Sequence, residues 1–449
     1  MAKKMTEGRP LPLILSFAVP LLIGNLLQQT YNLIDAAIVG KILGANALAS
    51  VGASSSVQFL VLGFCIGICC GFGIPVAKSF GAGNMKEMRG HIFHAMVMTV
   101  VAAVFLTVIC ALLCPQILHL LSTPEDIYAD AYRYLLVIFL GIPFTLLYNL
   151  LSGILRAVGD SKTPFIFLAI STVLNIILDL VCILVLKWGC AGAAIATIAS
   201  QAVSGILCWG YIQKKFRILL PEKEDRHIKA KGIRTMLIMG VPMGLQYSIT
   251  AIGSMVMQSA NNGLGSVYVS GFTAGMRLKQ FCMCPFDAIA TGVSVFCGQN
   301  LGAGKTERIK KGIWQGVCVG VSYGFCAGLV LIFGGRILSQ IFVDGKEVAV
   351  LDAAARYLFC QGVFMWSLGI LNICRMTVQG LGYSGVAVFY GVTEMIARII
   401  VSTVFVPRYG FAAICIADPS AWLSACVYIV PVCIWSVRRC IKDCKKISD

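Results

Sequence analysis

Along most of the chain the apolar residues neither alternate, as in a half-buried strand, nor confine themselves to one helical face; they run on. Twelve such runs, most of roughly 20 residues or more, can be read at about 13–37, 47–72, 92–113, 133–156, 164–186, 191–211, 236–260, 267–297, 312–334, 353–379, 386–406 and 411–435. Runs of this length predict membrane-spanning helices, because a helix satisfies its own backbone in hydrocarbon, whereas barrel strands are shorter and alternate. The first run carries Gln28, Asn32 and Asp35 at i, i+4 and i+7, which places one polar stripe on an otherwise apolar helix. An Asp at that depth costs at least roughly 2.5–3.5 kcal/mol, so it is expected to face a partner or a wet cavity.

Composition agrees with the pattern. The 449 residues are 58% hydrophobic and 12% charged, with a mean hydropathy of +0.86, against about 25% charged in a soluble domain. The formal charge of +16 suggests a nucleic-acid partner until its distribution is read. With the N-terminus placed inside, twenty-five Lys and Arg fall on cytoplasmic segments and seven, from Lys41 to Arg408, on the other side. That bias predicts both termini in the cytoplasm and the bilayer, not nucleic acid, as the partner. Most of the twenty cysteines lie inside apolar runs and read as small packing residues, and Cys282 with Cys284 is too isolated for a zinc site. The first run is longer than a signal-peptide core and holds Asp35, so it is expected to be retained as a span.

The apolar pattern breaks between Tyr211 and Thr235, where mixed charge and Pro221 intervene. On either side the chain repeats itself. FAVPLL around Pro20 returns as MGVPMG around Pro242, 222 positions on; SFGAGN at 79–84 returns as NLGAGK at 300–305, offset 221; LRAVGDS at 155–161 returns as VQGLGYS at 378–384, offset 223; KWGCAGAAIA at 187–196 returns as RYGFAAICIA at 408–417, offset 221. Four matches in order imply two copies of one six-span plan. The expected division is 1–211, a cytoplasmic linker at 212–235, and 236–449. An even number of spans per half makes the repeats parallel, which predicts an all-α protein of two six-helix bundles about a pseudo-twofold axis along the membrane normal and suits rocking alternating access. The paired GAG segments read as tight interfacial turns; a phosphate loop needs a preceding strand that the pattern lacks.

The duplicated plan, a Pro in the first span of each half, NLIDAAIVGKILGANALA at 32–49, the FGAGN and GQNLGAG turns, LRAVGDSKTP at 155–164 and LNIILDLV at 174–181 together resemble the multidrug and toxic compound extrusion (MATE) family, from about Pro12 to about Trp435. The resemblance implies antiport in a bacterial inner membrane: H⁺, favoured over Na⁺, enters while a drug-like small molecule leaves. It implies a chain acting as a monomer, without cofactor, metal or enzymatic activity. In the proton-coupled prokaryotic branch an Asp of the first span, an Asn and Asp of the fifth and a Thr of the sixth form a polar network. The matching cation-coupling positions here are Asp35, Asn175, Asp179 and Thr197.

The residues support that assignment independently. Thr172, Asn175 and Asp179 share one face of the fifth span, and Thr197, Gln201 and Ser204 one face of the sixth. With each run centred on the bilayer, Asp179 and Thr197 lie about 6 Å outward of the midplane and Asp35 about 12 Å, so all three are expected to converge. Two carboxylates in a low dielectric cannot both ionise cheaply, and one should hold a proton that a cationic substrate or a wetter environment displaces. The same polar groups also suit plain helix–helix bonding.

Substrate-lining candidates are Gln28, Tyr31, Asn32, Asn149 and Gln201 in the first half and Arg277, Arg375, Glu394 and Arg398 in the second. Some sodium-coupled and eukaryotic relatives carry an acid in the seventh span; here that span has none, so a second-half cation site of that kind is not expected. Glu394 and Arg398 at i, i+4 can neutralise one another. Arg277 and Arg375 have no carboxylate within sequence reach, and Asp287 reads as able to answer Lys279 or Arg277 only through water. The alternative of the same overall fold is a flippase for lipid-linked sugars. An intramembrane enzyme is disfavoured, since His91, His94, His119 and His227 lie at or near loops and neither HExxH nor GxSxG occurs.

Overall fold

The computed structural model describes residues 4–120 and 123–448; Lys3, counted above among the cytoplasmic charges, lies outside them. Among the described residues every regular element is helical. The helices are α1 (Pro10–Leu43), α2 (Ala45–Gly81), α3 (Met85–Leu120), α4 (Glu125–Leu140), α5 (Ile142–Ala157), α6 (Lys162–Leu180), α7 (Gly189–Lys215), α8 (Ala230–Asn262), α9 (Ser266–Gly302), α10 (Thr306–Ser339), α11 (Val348–Gly380), α12 (Ser384–Ile400), α13 (Val406–Tyr409) and α14 (Phe411–Ser448). Among the described residues eleven helical segments are long and apolar enough to cross a membrane, and α4 with α5, bent by 43° at Gly141, makes a twelfth. The protein is therefore an all-helical, multi-pass membrane protein. Each expected run corresponds to one of these spans, and most helices run on past both ends of the apolar stretch, because polar flanks stay helical beyond the hydrocarbon.

Side chains such as Val104 and Phe105 on α3 and Phe333 and Ile337 on α10 are well exposed, as lipid-facing positions should be. The GAG turns need glycine for a stated reason: Gly83 and Gly304 sit at φ +73° and +70°. There Asn84 N–H reaches Ser79 O at 3.1 Å and Lys305 N–H reaches Asn300 O at 2.9 Å, closing the ends of α2 and α9.

The chain forms two compact units, one mainly Ile23–Gly244 and the other Met5–Leu22 with Leu245–Asp449. Their limits fall inside α1 and α8 and not at 212–235. In each case the change comes two residues after a helix-interior proline, Pro20 or Pro242, where the missing N–H opens one rung of the ladder.

In the first unit α2 packs on α3, α4 and α5, and α7 packs on α4, α5 and α6, around Phe72, Phe80, Met88, Phe139, Leu146 and Leu151. The segment expected as linker is short and docked here. Arg89 of α3 bonds Asp225 at 2.6 Å and Glu222 at 3.0 Å. His94 Nε2 accepts from Lys229 N at 3.0 Å, while its Nδ1 faces Gly90 O at 2.7 Å.

In the second unit α10 presents Gly312, Gly316, Gly320, Gly324 and Gly328, four residues apart. A Cβ at Gly328 would lie 2.3 Å from Gly362 O of α11, and one at Gly324 2.7 Å from Trp366 Cα. Small residues at this spacing let two backbones meet where hydrocarbon supplies no hydrophobic drive. Phe272, Phe286, Tyr357, Leu358 and Trp422 fill the core of this unit.

Candidate functional site

In the first unit the acids meet. Asp35 on α1 and Asp179 on α6 bring their carboxyl groups within hydrogen-bonding reach of each other. Asp179 is fully buried, and among the described residues no donor serves its two oxygens or Asp35 Oδ1. Two carboxyl oxygens at that separation repel unless a proton lies between them. Next to the acids, Asn175 Nδ2 donates to Thr197 Oγ1 at 3.5 Å, tying α6 to α7. Tyr31 hydrogen-bonds Gln28 and, like Tyr134 of α4, lies within electrostatic reach of both acids. Tyr134 OH donates to Gln58 Oε1 of α2 at 3.5 Å.

Local sequence explains how α6 and α7 hold this geometry. Ser171 and Ser204 hydroxyls bond Ser200 O and Phe167 O across the pair at 2.9 and 3.1 Å. A Cβ at Gly192 would stand 3.1 Å from Cys182 Cβ, so glycine lets α7 approach here without displacing its neighbour. Immediately beyond Asp179 the helix widens into a π turn, Val181–Val185, a distortion often found beside working groups.

The remaining first-half candidates are more scattered. Gln201 accepts from Thr145 Oγ1 at 2.5 Å and so clasps α7 to α5, while Asn149 donates to Thr145 O of its own helix at 2.8 Å. Asn32 and Gln28 are exposed on α1.

The second unit holds a different arrangement. Lys279 of α9 donates to Asp418 of α14 and, at 3.0 Å, to Tyr357 OH, while Tyr357 OH donates to the same Asp418 oxygen at 3.0 Å. Arg398 Nε bonds the other Asp418 oxygen at 2.9 Å, and Arg398 NH1 lies 3.5 Å from Glu394 Oε2. All four charged side chains are 2–8% exposed. Glu394 and Arg398 thus sit inside a closed network, where the sequence reading put them on the substrate path; Asp418, on a helix that reading left unexamined for acids, draws them in.

Two further expectations are corrected. Arg375 does have a carboxylate partner, since Asp287 stands 3.6 Å away across α9 and α11, a proximity that spacing along one helix cannot reveal. Asp287 therefore answers Arg375 and neither Lys279 nor Arg277. Arg375 also donates to Tyr390 OH at 2.8 Å and lies over that ring. Asp287 remains 49% exposed in the middle of α9, a depth at which an acid must face water. Among the described residues Arg277 forms no ion pair within 4.0 Å.

Reasoning from sequence missed Asp418, Tyr134 and Gln58. One signal was available: Asp418 stands 221 positions after Thr197, at the offset of the KWG and RYG match.

Comparison with known proteins agrees with this architecture. The family model described as MatE matches residues 20–181 and 242–404. The chain is 30% identical to a Bacillus subtilis (strain 168) protein named probable multidrug resistance protein YpnP, over 94% of this chain and 91% of that one. It is also 30% identical to probable multidrug resistance protein YoeA of the same organism, over 82% and 80%. Its fold superposes with a TM-score of 0.89, at 20% identity and 98% coverage of both chains, on a structure described as the outward-facing conformation of a multidrug resistance MATE family transporter of the MOP superfamily. With two matched blocks spanning both halves and a relative at this identity along nearly its full length, the chain belongs to the MATE family and is a membrane transporter, not an enzyme.

Proposed function

We propose that this protein exports drug-like organic compounds in exchange for an inward-moving cation, H⁺ in preference to Na⁺, by alternating access from the membrane of a bacterial cell. One observation carries the coupling: Asp35 and Asp179 approach within hydrogen-bonding reach in a buried setting where, among the described residues, no other donor serves Asp35 Oδ1 or either Asp179 oxygen. A proton shared by the two acids removes the repulsion, and its loss restores it. Substrate and proton then favour different charge states of one site, which is the linkage that exchange requires. The preference for H⁺ rests on the closeness of the two acids, which one shared proton relieves, and on the likeness to the proton-coupled branch. Asn175 Oδ1 and Thr172 Oγ1, buried without a hydrogen-bond partner among the described residues, are oxygens that Na⁺ would also use, so the ion gradient in the assay below decides. The relatives named as multidrug resistance proteins support the cargo class.

The lysine and arginine bias, twenty-five against seven, supports cytoplasmic termini. For cargo charge, the exposed Asp287 beside Arg375 favours molecules bearing both signs over simple lipophilic cations.

The deciding experiment is dye efflux from reconstituted vesicles under an imposed pH or Na⁺ gradient. Wild type should export under the pH gradient alone, and Asp35→Asn and Asp179→Asn should each lose gradient-driven export. Undiminished export in both variants removes the coupling role and brings the lipid-linked sugar flippase forward.

A further inference from the structure

The two polar clusters occupy the same places in the repeat. Helices α2 and α9 are both 37 residues long and begin 221 positions apart, so Gln58 corresponds to Lys279. Helices α4 and α11 begin 223 apart, so Tyr134 corresponds to Tyr357. The offset of 223 read at 155–161 carries Asn175 to Arg398, and that of 221 read at 187–196 carries Thr197 to Asp418.

The bonds repeat with the positions. Tyr134 to Gln58 at 3.5 Å becomes Tyr357 with Lys279 at 3.0 Å. Asn175 to Thr197 at 3.5 Å becomes Arg398 to Asp418 at 2.9 Å. A π turn follows in both, at Val181–Val185 and Val401–Phe405. What differs is charge. The acids of the first unit fall on uncharged residues in the second, Asp35 on Val256 or Met257 and Asp179 on Ser402. Two neutral amides of the first unit become fixed cations in the second.

We propose that the second cluster is the repeat's cation site filled from within, with the Lys279 ammonium tethered where an exchangeable ion would sit against Asp418. The second unit thereby takes up no ion of its own, and the transporter carries one ion-coupling site per chain. Lys279, Arg398, Asp418 and Glu394 balance two positive against two negative charges, all nearly sealed from solvent. A free cation has neither uncompensated charge to neutralise there nor room beside the ammonium. Lys279 is held by more than its ion pair, with Tyr357 bonded to it and Trp422 6.0 Å away. Removing its side chain beyond Cβ leaves a space of short-alkylammonium size whose inner end is lined by a carboxylate, a phenol and an indole, the kind of site that receives a small organic ammonium ion. The assignment of the second cluster rests on its own contacts; only the count of coupling sites rests on the reading of Asp35 and Asp179 given above.

The test is cation-dependent thermal unfolding of the purified full-length protein, with methylammonium chloride as probe and tetramethylammonium chloride at equal ionic strength as control. Lys279→Ala and Lys279→Gln, the second restoring the residue type of Gln58, should unfold at lower temperature than wild type. Each should recover about 2–4 °C at saturating methylammonium, and the larger ion should give no recovery. Wild type should show no methylammonium effect. Absence of saturable recovery in Lys279→Ala overturns the proposal.

Where neither lysine variant yields folded protein, the Asp35→Asn/Asp179→Asn variant decides. It should show no cation-specific stabilisation by either Na⁺ or methylammonium, and a residual one overturns the proposal. Failure of these acid variants to alter dye efflux, by contrast, bears only on the coupling reading, since the lysine variants are read by stability and need no transport.

Discussion

One scaffold, used twice in this chain, carries opposite electrostatics. In the first unit the repeated helices bring two acids together without a base. In the second the positions that answer Gln58, Asn175 and Thr197 bring Lys279 and Arg398 to Asp418, with Glu394 one turn from Arg398. The backbone framework, down to the π turn after the site, is common to both. Geometry therefore decides where polar groups meet, and side-chain charge decides whether the meeting place is completed by an outside ion or by the chain.

The strongest way to break this comparison is to remove the shared carboxylate. Asp418→Asn leaves Lys279 and Arg398 facing each other in a buried place, and breaking a buried pair from one side costs about 3–5 kcal/mol. Denaturant unfolding in detergent should register a loss of that size, and a loss below about 1 kcal/mol would show that the network is not electrostatically closed.

The opposite response is expected in the first unit. Asp179→Asn removes a repulsion along with a charge, so stability should change by less than about 1 kcal/mol, while gradient-driven efflux falls about tenfold or more. Equal stability losses in Asp179→Asn and Asp418→Asn would erase the distinction between the units.

A smaller effect isolates plain helix bonding. Thr145→Val leaves Gln201 without its partner and should cost about 1–2 kcal/mol, with efflux per folded molecule unchanged. A change in the ratio of substrate to driving ion in this variant would extend the coupling network into α5.

The smallest effect comes from a fixed pair at the water's edge. Burial pushes the Asp225 carboxyl up, but the hydrogen bond from Arg89, the Glu222 backbone N–H, and the charges of Arg89 and Lys86 outweigh it, so the group is held below its ordinary carboxylate value. A depressed value means that the docking energy is fully present above the ordinary carboxylate range and fades as pH falls through the lower, folded-state value. Arg89→Ala should therefore raise protease cutting at 216–229 at neutral pH, with a stability change of about 1 kcal/mol or less. Wild type should show the same sensitivity only in strong acid.

The spans and the repeat were legible in the sequence because bilayer thickness sets a length that few other structures need. The closeness of Asp35 to Asp179 and of Asn175 to Thr197 was legible through the family resemblance, and that of the acids also because an acid in hydrocarbon demands company, whereas Gln28 and Asn32 of the α1 stripe are exposed. What stayed hidden has a common cause. The partners of Arg375 and Arg398 come from other helices, α9 and α14, and pairing between helices leaves no spacing to count. Tyr134 and Gln58 are hidden because an aromatic or an amide in a span is usually only packing, and their importance comes from the acids near them. Asp418 could have been found by carrying Thr197 through the repeat.

The limits of the compact units lie at Leu22–Ile23 and Gly244–Leu245, inside continuous helices, while the charged stretch before α8 is fastened to α3 within a single unit. The change of unit therefore falls beside proline-opened turns inside α1 and α8, and the charged stretch belongs to the first unit alone. Severing the chain between Asp225 and Lys229 should leave both new ends held on α3, one by Arg89 and the other by His94, so that the nick opens without either end letting go in mild detergent.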